Sequence, residues 1–139
     1  MMINRYRIVP LFLYLGMIFF LSSRPYLKAP GIDFLLADKI IHFVEYSILG
    51  VLLFSGIGRA ILRSKVWSFL FLLAVGSSIG AMDEIFQSYI PGRHMSIYDH
   101  LADTLGVAAG RGLAFQWNAH RSSSSGKRPG LHSDRKAAS

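Results

Sequence analysis

Four apolar stretches divide this chain, and its charged residues gather between them. The stretches predict helices at about 6–23, 38–57, 66–90 and 99–117. Each is close to the roughly 20 residues that a helix needs to cross a lipid bilayer. Spanning strands must close into a barrel and alternate in polarity, and no such alternation is present. We therefore predict an all-α fold, a membrane four-helix bundle formed by residues 1–120.

The composition supports this prediction and excludes several other classes. Hydrophobic residues make up 52% of the chain and charged residues 17%, whereas a soluble domain carries about 25% charged residues. The net charge of +7 would suit nucleic acid, but no aromatic residues are interleaved with the basic ones on a polar surface. We expect no nucleic-acid partner. The absence of cysteine excludes a disulfide framework, a thiolate metal site and a cysteine nucleophile.

The first helix and the tail each carry a separate prediction. Arg5 and Arg7 precede the apolar run Ile8–Leu21, an order that a signal peptide and a membrane anchor share. The stretch SSRPYLK that follows lacks the small residues that a signal peptidase prefers, so we favour a retained anchor. Residues 121–139 are rich in serine, glycine and charge, and they predict a disordered, basic cytoplasmic tail.

Basic residues set the expected orientation of the helices. With the N-terminus inside the cell, the cytoplasmic segments contain Arg5, Arg7, Arg59, Arg63, Lys65, Arg121, Lys127, Arg128, Arg135 and Lys136. The outer segments then contain only Arg24, Lys28, Lys39 and Arg93. Because cytoplasmic loops carry the excess of Lys and Arg, we predict an N-in/C-in topology in the bacterial inner membrane. The long side chain of Arg111, within the fourth helix, is expected to extend toward the cytoplasmic surface.

The second helix carries ionisable residues at its outer end. Asp38, His42 and Glu45 share one face of this helix. Glu45 lies about 10 Å deeper than Asp38, at a rise of about 1.5 Å per residue. These three side chains are candidate general acids and bases, since burial would separate their proton affinities.

The third and fourth helices carry polar residues at a matching depth. Asp83, Glu84 and Gln87 lie roughly 5–10 Å below the outer end of the third helix, and Asp99 and Asp103 open the fourth. An unpaired charge inside a membrane costs at least about 2.5 kcal/mol, so such a group predicts a functional site that faces the bundle interior. A structural polar network is the alternative. Asp83 and Glu84 are candidate acids and bases, and Gln87, Asp99 and Asp103 are candidate substrate-binding residues.

Glycine pairs lie on the polar faces of the third and fourth helices. Gly76 and Gly80 form one pair, and Gly106 and Gly110 form the other. Small residues four positions apart let membrane helices pack closely. We therefore expect these two helices to meet below the polar residues.

The loop between the third and fourth helices adds a turn and a positive charge. Pro91-Gly92 predicts the turn. Arg93 follows it and is expected to lie above the acidic residues. There it either neutralises a carboxylate of the third helix or binds an anionic substrate group such as phosphate. Arg93 and Ser96 are the candidate substrate-binding residues of this loop.

With these residues the chain resembles the VanZ-like family. The resemblance rests on Asp38-Lys39-x-x-His42-x-x-Glu45-Tyr46, Asp83-Glu84-x-x-Gln87, Pro91-Gly92-Arg93-x-x-Ser96-x-x-Asp99 and Asp103-x-x-Gly106. No single motif is specific, but four in this order at these spacings make a strong match. The resemblance implies a multi-pass membrane protein of the bacterial cell envelope. The founding member of the family is associated with low-level teicoplanin resistance, which makes antibiotic resistance an expectation here.

Three classes of function fit these residues. An enzyme would act on a lipid or lipid-linked cell-wall intermediate at the outer leaflet, by acid–base chemistry. A non-catalytic accessory or binding protein would use the same residues to recognise an envelope molecule, a membrane-protein partner or a second copy of the chain. A small proton-coupled carrier is less favoured, because a transport path needs ionisable groups at the membrane midplane.

The sequence favours a site without a metal ion. Carboxylates beside His42 would suit Mg²⁺, Mn²⁺ or Zn²⁺. However, no HExxH or similar spacing of ligands is present along the chain. The sequence identifies no cofactor.

Overall fold

The structure, a computed structural model, describes residues 5–25, 34–58 and 64–125. They form four α-helices: α1 (Arg5–Ser22), α2 (Phe34–Leu53), α3 (Lys65–Gln87) and α4 (Ile97–Ser125). A π-helical turn, Phe54–Gly58, extends α2. No strand is present within these ranges, and the predicted all-α helical bundle is confirmed.

The helix bounds differ from the predicted ones mainly at α2 and α4. α2 begins at Phe34, about one turn before Asp38. α4 continues to Ser125, so the stretch 121–125 is helical, although the sequence assigns it to a disordered tail. Here the hydroxyl of Ser122 lies 2.8 Å from the main-chain carbonyl of Ala119 and 3.1 Å from that of Asn118, as the helical backbone allows. Residues 126–139 of the predicted tail lie outside the described residues.

Within the part of the chain that the structure describes, two helices are long and apolar enough to cross a membrane. These are Leu36–Ile57 and Lys65–Gln87, of 22 and 23 residues. Only 39% and 28% of their most apolar windows are buried within the structure, so most of this surface faces outward. A core helix of a soluble protein would bury such a surface, whereas lipid accepts it. α1 adds a shorter apolar stretch, Ile8–Ser22.

α4 packs against both α2 and α3 through glycine. A Cβ added at Gly106 would lie 3.0 Å from the main-chain nitrogen of Ser47 on α2, and one at Gly110 would overlap the carbonyl of Ser47. On the other side, a Cβ at Gly76 of α3 would lie 2.6 Å from the side chain of Val107. Both predicted glycine pairs therefore lie at close helix contacts. Gly106 and Gly110 contact α2, however, whereas the sequence led us to expect α3.

Apolar and polar residues occupy different halves of the bundle interior. The hydrophobic core is formed by Leu11, Ile18, Tyr46, Leu49, Leu53, Phe54, Leu72, Val107 and Ala114. The buried polar side chains are Ser22, His42, Ser68, Asp83, Glu84, Gln87, Asp99 and Asp103. Apart from Ser68, this second group lies where α1 and α3 end and where α2 and α4 begin. We call these residues other than Ser68, together with the half-buried Asp38, Lys39, Glu45 and Arg93 and the hydroxyl of Tyr46, the polar cluster.

Arg111 lies in the apolar half of the bundle. Its Nη2 donates to the carbonyl of Lys65, at the start of α3, at 3.0 Å. Its guanidinium also lies over the rings of Phe54, Phe69 and Phe115, at 5.6, 5.0 and 5.2 Å from their centroids. These cation–π contacts stabilise a charge in an apolar setting. The side chain points toward the end of the bundle that the predicted topology places in the cytoplasm.

Candidate functional site

A tight turn joins α3 to α4 beside the polar cluster. The main-chain N–H of Arg93 donates to the carbonyl of Ile90 at 3.1 Å. Pro91 and Gly92 lie at the centre of this turn, and Gly92 has a positive φ of 83°. Glycine adopts this conformation without strain, and proline supplies the φ that the preceding position needs. The predicted Pro-Gly turn is confirmed.

Ser96 ends this loop and connects α3 to the start of α4. Its hydroxyl accepts a hydrogen bond from the main-chain N–H of Asp99 at 3.3 Å, as a helix-capping serine does. Its own main-chain N–H donates to Glu84 Oε2 at 2.6 Å. In this structure Ser96 therefore positions α4. Its predicted contact with substrate stays a prediction.

Two ion pairs, about one helical turn apart, join α2 to α4. Lys39 Nζ lies 2.8 Å from Asp99 Oδ1, and the side chains are 29% and 8% exposed. One turn deeper, His42 Nδ1 lies 2.9 Å from Asp103 Oδ1, and the side chains are 6% and 0% exposed. The imidazole N–H donates to the Asp103 carboxylate. We call the first pair, together with Arg93, the rim of the cluster.

Gly80 makes room for the inner pair. A Cβ added at Gly80 would lie 2.9 Å from Asp103 Oδ2 and 3.0 Å from Asp103 Cβ. Any larger residue at position 80 would push the Asp103 carboxylate away from α3 or out of line with His42. The glycine that the sequence assigns to helix packing therefore also shapes the polar cluster.

Gln87 links the polar residues of α3 to α1. Its amide donates to Asp83 Oδ2 at 2.9 Å and to the hydroxyl of Ser22 at 3.3 Å. Both α3 residues are buried, with Asp83 only 1% exposed. The end of α1 thus completes the wall of the cluster.

Asp38, Glu45 and Arg93 form the half-buried edge of the cluster. Arg93 Nη1 donates to the carbonyl of Ser22 at 3.5 Å, a long hydrogen bond. The Arg93 charge also acts electrostatically on Asp38, Glu45 and Asp83. Arg93 therefore lies close enough for its charge to act on the acidic residues, and both roles that the sequence predicts for it stay predictions.

The structure brings all the predicted site residues to one end of the bundle. Asp38, His42 and Asp99 each offer a ligand atom, and the three atoms lie within 4.8 Å of one another. The same holds for the set of His42, Glu84 and Asp103. The predicted convergence of α2, α3 and α4 is therefore observed. The catalytic and binding roles of these residues stay predictions.

Several buried polar atoms of the cluster have no hydrogen-bond partner among the residues that the structure describes. They are Glu45 Oε1, Tyr46 Oη, Asp83 Oδ1, Glu84 Oε1 and Asp103 Oδ2. A buried polar atom without a partner costs about 1–3 kcal/mol, and such atoms are rare in purely structural networks. Their concentration in one place therefore favours a site that binds a ligand or an ion over a purely structural polar network.

The inner residues of the cluster are closed to solvent in this conformation. His42 is 5% exposed, Glu84 2% and Asp103 0%. A cavity of about 870 Å³ lies in the opposite half of the bundle, lined by Pro10, Val51 and Leu113 among others. A molecule that contacts His42 and Asp103 would first have to displace the residues above them.

Ser22, Lys39 and Tyr46 belong to the cluster but are not among the candidates chosen from the sequence. Lys39 and Tyr46 directly follow Asp38 and Glu45 in the chain, so their position carried a signal. Ser22 carried none, because its contact runs from the end of α1 to α3. Only the packing of the helices brings that hydroxyl to the cluster.

Comparison with known proteins identifies the family. The model of the VanZ/LLP1 family matches residues 3–118, a range that includes every residue of the polar cluster. No curated protein and no solved structure matches the chain. The family match agrees with the outward-facing apolar surface of α2 and α3, and both indicate a membrane protein. The resemblance drawn from the four motifs is confirmed, and the chain belongs to the VanZ/LLP1 family.

Proposed function

We propose that this chain is a multi-pass protein of the bacterial cytoplasmic membrane that binds and acts on the phosphate-bearing headgroup of a lipid or lipid-linked cell-wall intermediate. Both termini lie in the cytoplasm, and the polar cluster lies near the outer face. The excess of basic residues at the other end of the bundle supports this orientation. Arg111 supports it too, since its cation points away from the cluster.

The topology is testable because the chain contains no cysteine. His94 in the α3–α4 loop and Ser122 near the end of α4 are both exposed. In intact cells, a membrane-impermeant maleimide is expected to label the His94→Cys variant, and to label Ser122→Cys only after permeabilisation. The reverse pattern, or equal labelling of both variants, would contradict the proposed orientation.

The observation that carries the function is a buried His42–Asp103 pair directly beneath a rim with two cations. Lys39 and Arg93 suit a phosphate group, which both ammonium and guanidinium bind by charge-assisted hydrogen bonds. His42, oriented by Asp103 at 2.9 Å, suits proton transfer to or from an oxygen placed below the rim. Glu84 and Asp83 add carboxyl groups at the same depth. Lys39 is paired with Asp99 in this structure. It must release Asp99 to bind the phosphate when the rim opens.

Binding is testable in lipid nanodiscs by native mass spectrometry. The purified wild-type protein is expected to retain a polyprenyl phosphate in preference to the uncharged polyprenol. Lys39→Met is expected to reduce this preference about tenfold, because one ion pair to phosphate is lost. Lys65→Met, which removes an exposed lysine at the opposite end, is the matched control and should leave it unchanged. Equal retention of the two lipids by the wild type would refute the proposal.

A non-catalytic accessory protein is the second candidate, and the closed state of the cluster favours it. Turnover separates the two. An enzyme would convert the bound lipid, and His42→Gln would retain binding and lose conversion. Binding without conversion by the wild type assigns the accessory role. Because of the family resemblance, we expect either role to contribute to teicoplanin resistance. Expression of the wild type in a susceptible host is then expected to raise the level of resistance.

A further inference from the structure

The deepest part of the polar cluster gathers three side chains from three helices. His42 of α2, Glu84 of α3 and Asp103 of α4 each offer a ligand atom, and all three atoms lie within 4.8 Å of one another. The three residues are at least nine-tenths buried. His42 Nδ1 and Asp103 Oδ1 are hydrogen-bonded at 2.9 Å in this structure, and an ion bound through this nitrogen would replace the shared proton.

The carboxyl groups of the cluster outnumber its basic groups. The cluster contains six carboxyl groups, those of Asp38, Glu45, Asp83, Glu84, Asp99 and Asp103. Its basic groups are Lys39, His42 and Arg93. Lys39 is already paired with Asp99 at the rim, and His42 is paired with Asp103. Uncompensated carboxylates cannot remain ionised in an apolar interior, so they must take up protons or share a metal ion.

The atoms without a partner point to the second of these outcomes. Glu84 Oε1 and Asp103 Oδ2 belong to side chains that are 2% and 0% exposed. Tyr46 lies one turn deeper than His42 on α2, is fully buried, and its hydroxyl has no partner among the described residues. The charges of Asp83, Asp103 and other nearby carboxylates act on this hydroxyl. A metal ion bound by Glu84 and Asp103 would give these two carboxylate oxygens a partner.

We propose that His42, Glu84 and Asp103 bind a divalent transition-metal ion, Mn²⁺ or Zn²⁺. One imidazole with two carboxylates suits these ions better than Mg²⁺ or Ca²⁺, which prefer oxygen ligands alone. The outer set of Asp38, His42 and Asp99 is less suited, because the ammonium of Lys39 lies 2.8 Å from Asp99 and repels a cation. Ligands contributed by three helices leave no linear motif, which is why the sequence favoured a site without a metal.

Metal binding is measured without any substrate, so this inference is independent of the proposed function. The purified full-length protein is treated with EDTA, passed through a desalting column and titrated with Mn²⁺. Loss of the signal of hydrated Mn²⁺ in electron paramagnetic resonance reports binding. One ion per chain is expected, with spin-echo modulation from an imidazole nitrogen. Zn²⁺ is expected to displace the bound Mn²⁺.

Two variants locate the site. Glu84→Gln keeps the size of the side chain and removes its charge, and it is expected to weaken Mn²⁺ binding by about tenfold or more. Asp99→Asn, which alters the outer set alone, is the matched control and should change affinity less than about threefold. Each variant is used only if it elutes from size-exclusion chromatography as a single folded species. Absence of binding to the wild type, or a larger effect of Asp99→Asn than of Glu84→Gln, would overturn the proposal.

Discussion

Replacing Gly110 with alanine is expected to destabilise the folded protein by about 3 kcal/mol or more, because the added methyl group has no space. A Cβ at this position would overlap the main-chain carbonyl of Ser47 on α2. Main-chain atoms of a helix cannot rotate away as a flexible side chain can, so α2 and α4 must separate. Unfolding by SDS of the purified protein in mixed micelles measures the free energy lost.

Gly112→Ala provides the matched control for this prediction. Gly112 lies two residues further along α4, and a Cβ there meets no atom within 4 Å. Alanine favours a helix over glycine by up to about 1 kcal/mol, so this variant should be as stable as the wild type or slightly more stable. Equal losses in the two variants would show that α4 tolerates no alanine for reasons other than its contact with α2.

The helices and their close-packed faces were predictable from patterns that are local in the chain. A run of apolar residues near the length of a membrane span, and glycines four residues apart, each involve only neighbouring turns of one helix. The partner of each face was not predictable in this way. Gly106 and Gly110 show which face of α4 packs closely, but only the fold reveals that α2 lies against it.

The polar cluster was predictable in depth but not in pairing. Counting residues from the helix ends places His42 and Asp103 at similar depths, and the structure places them 2.9 Å apart. Whether Asp103 pairs with His42 or faces α3 depends on how α2 and α4 rotate about their own axes. That rotation follows from side-chain packing along the whole helix, and the spacing of a few residues does not determine it. The sequence therefore assigned Asp103 to substrate, and the structure pairs it with His42.

Replacing either member of the His42–Asp103 pair is expected to destabilise the protein by about 3–5 kcal/mol, since each change leaves the other member buried without its partner. Neither side chain can reach water by a small movement, because their exposures are 6% and 0%. His42→Leu and Asp103→Leu test this in EDTA-treated protein, so that bound metal does not contribute. Lys39→Met is the control at the rim. Its side chain is 29% exposed, and about 1 kcal/mol or less is expected.

The double variant His42→Leu/Asp103→Leu distinguishes a specific pair from two independently required residues. If the cost of each single variant arises from stranding its partner, removing both groups removes both penalties, and the double variant should lose less than the sum of the two single losses. A favourable coupling of about 1–3 kcal/mol is expected from unfolding by SDS. Additive losses would mean that each side chain is held by its other neighbours, Glu84 and Tyr46 among them. In that event the His42–Asp103 contact would not organise the polar cluster, and proton transfer by His42 would lose its structural basis.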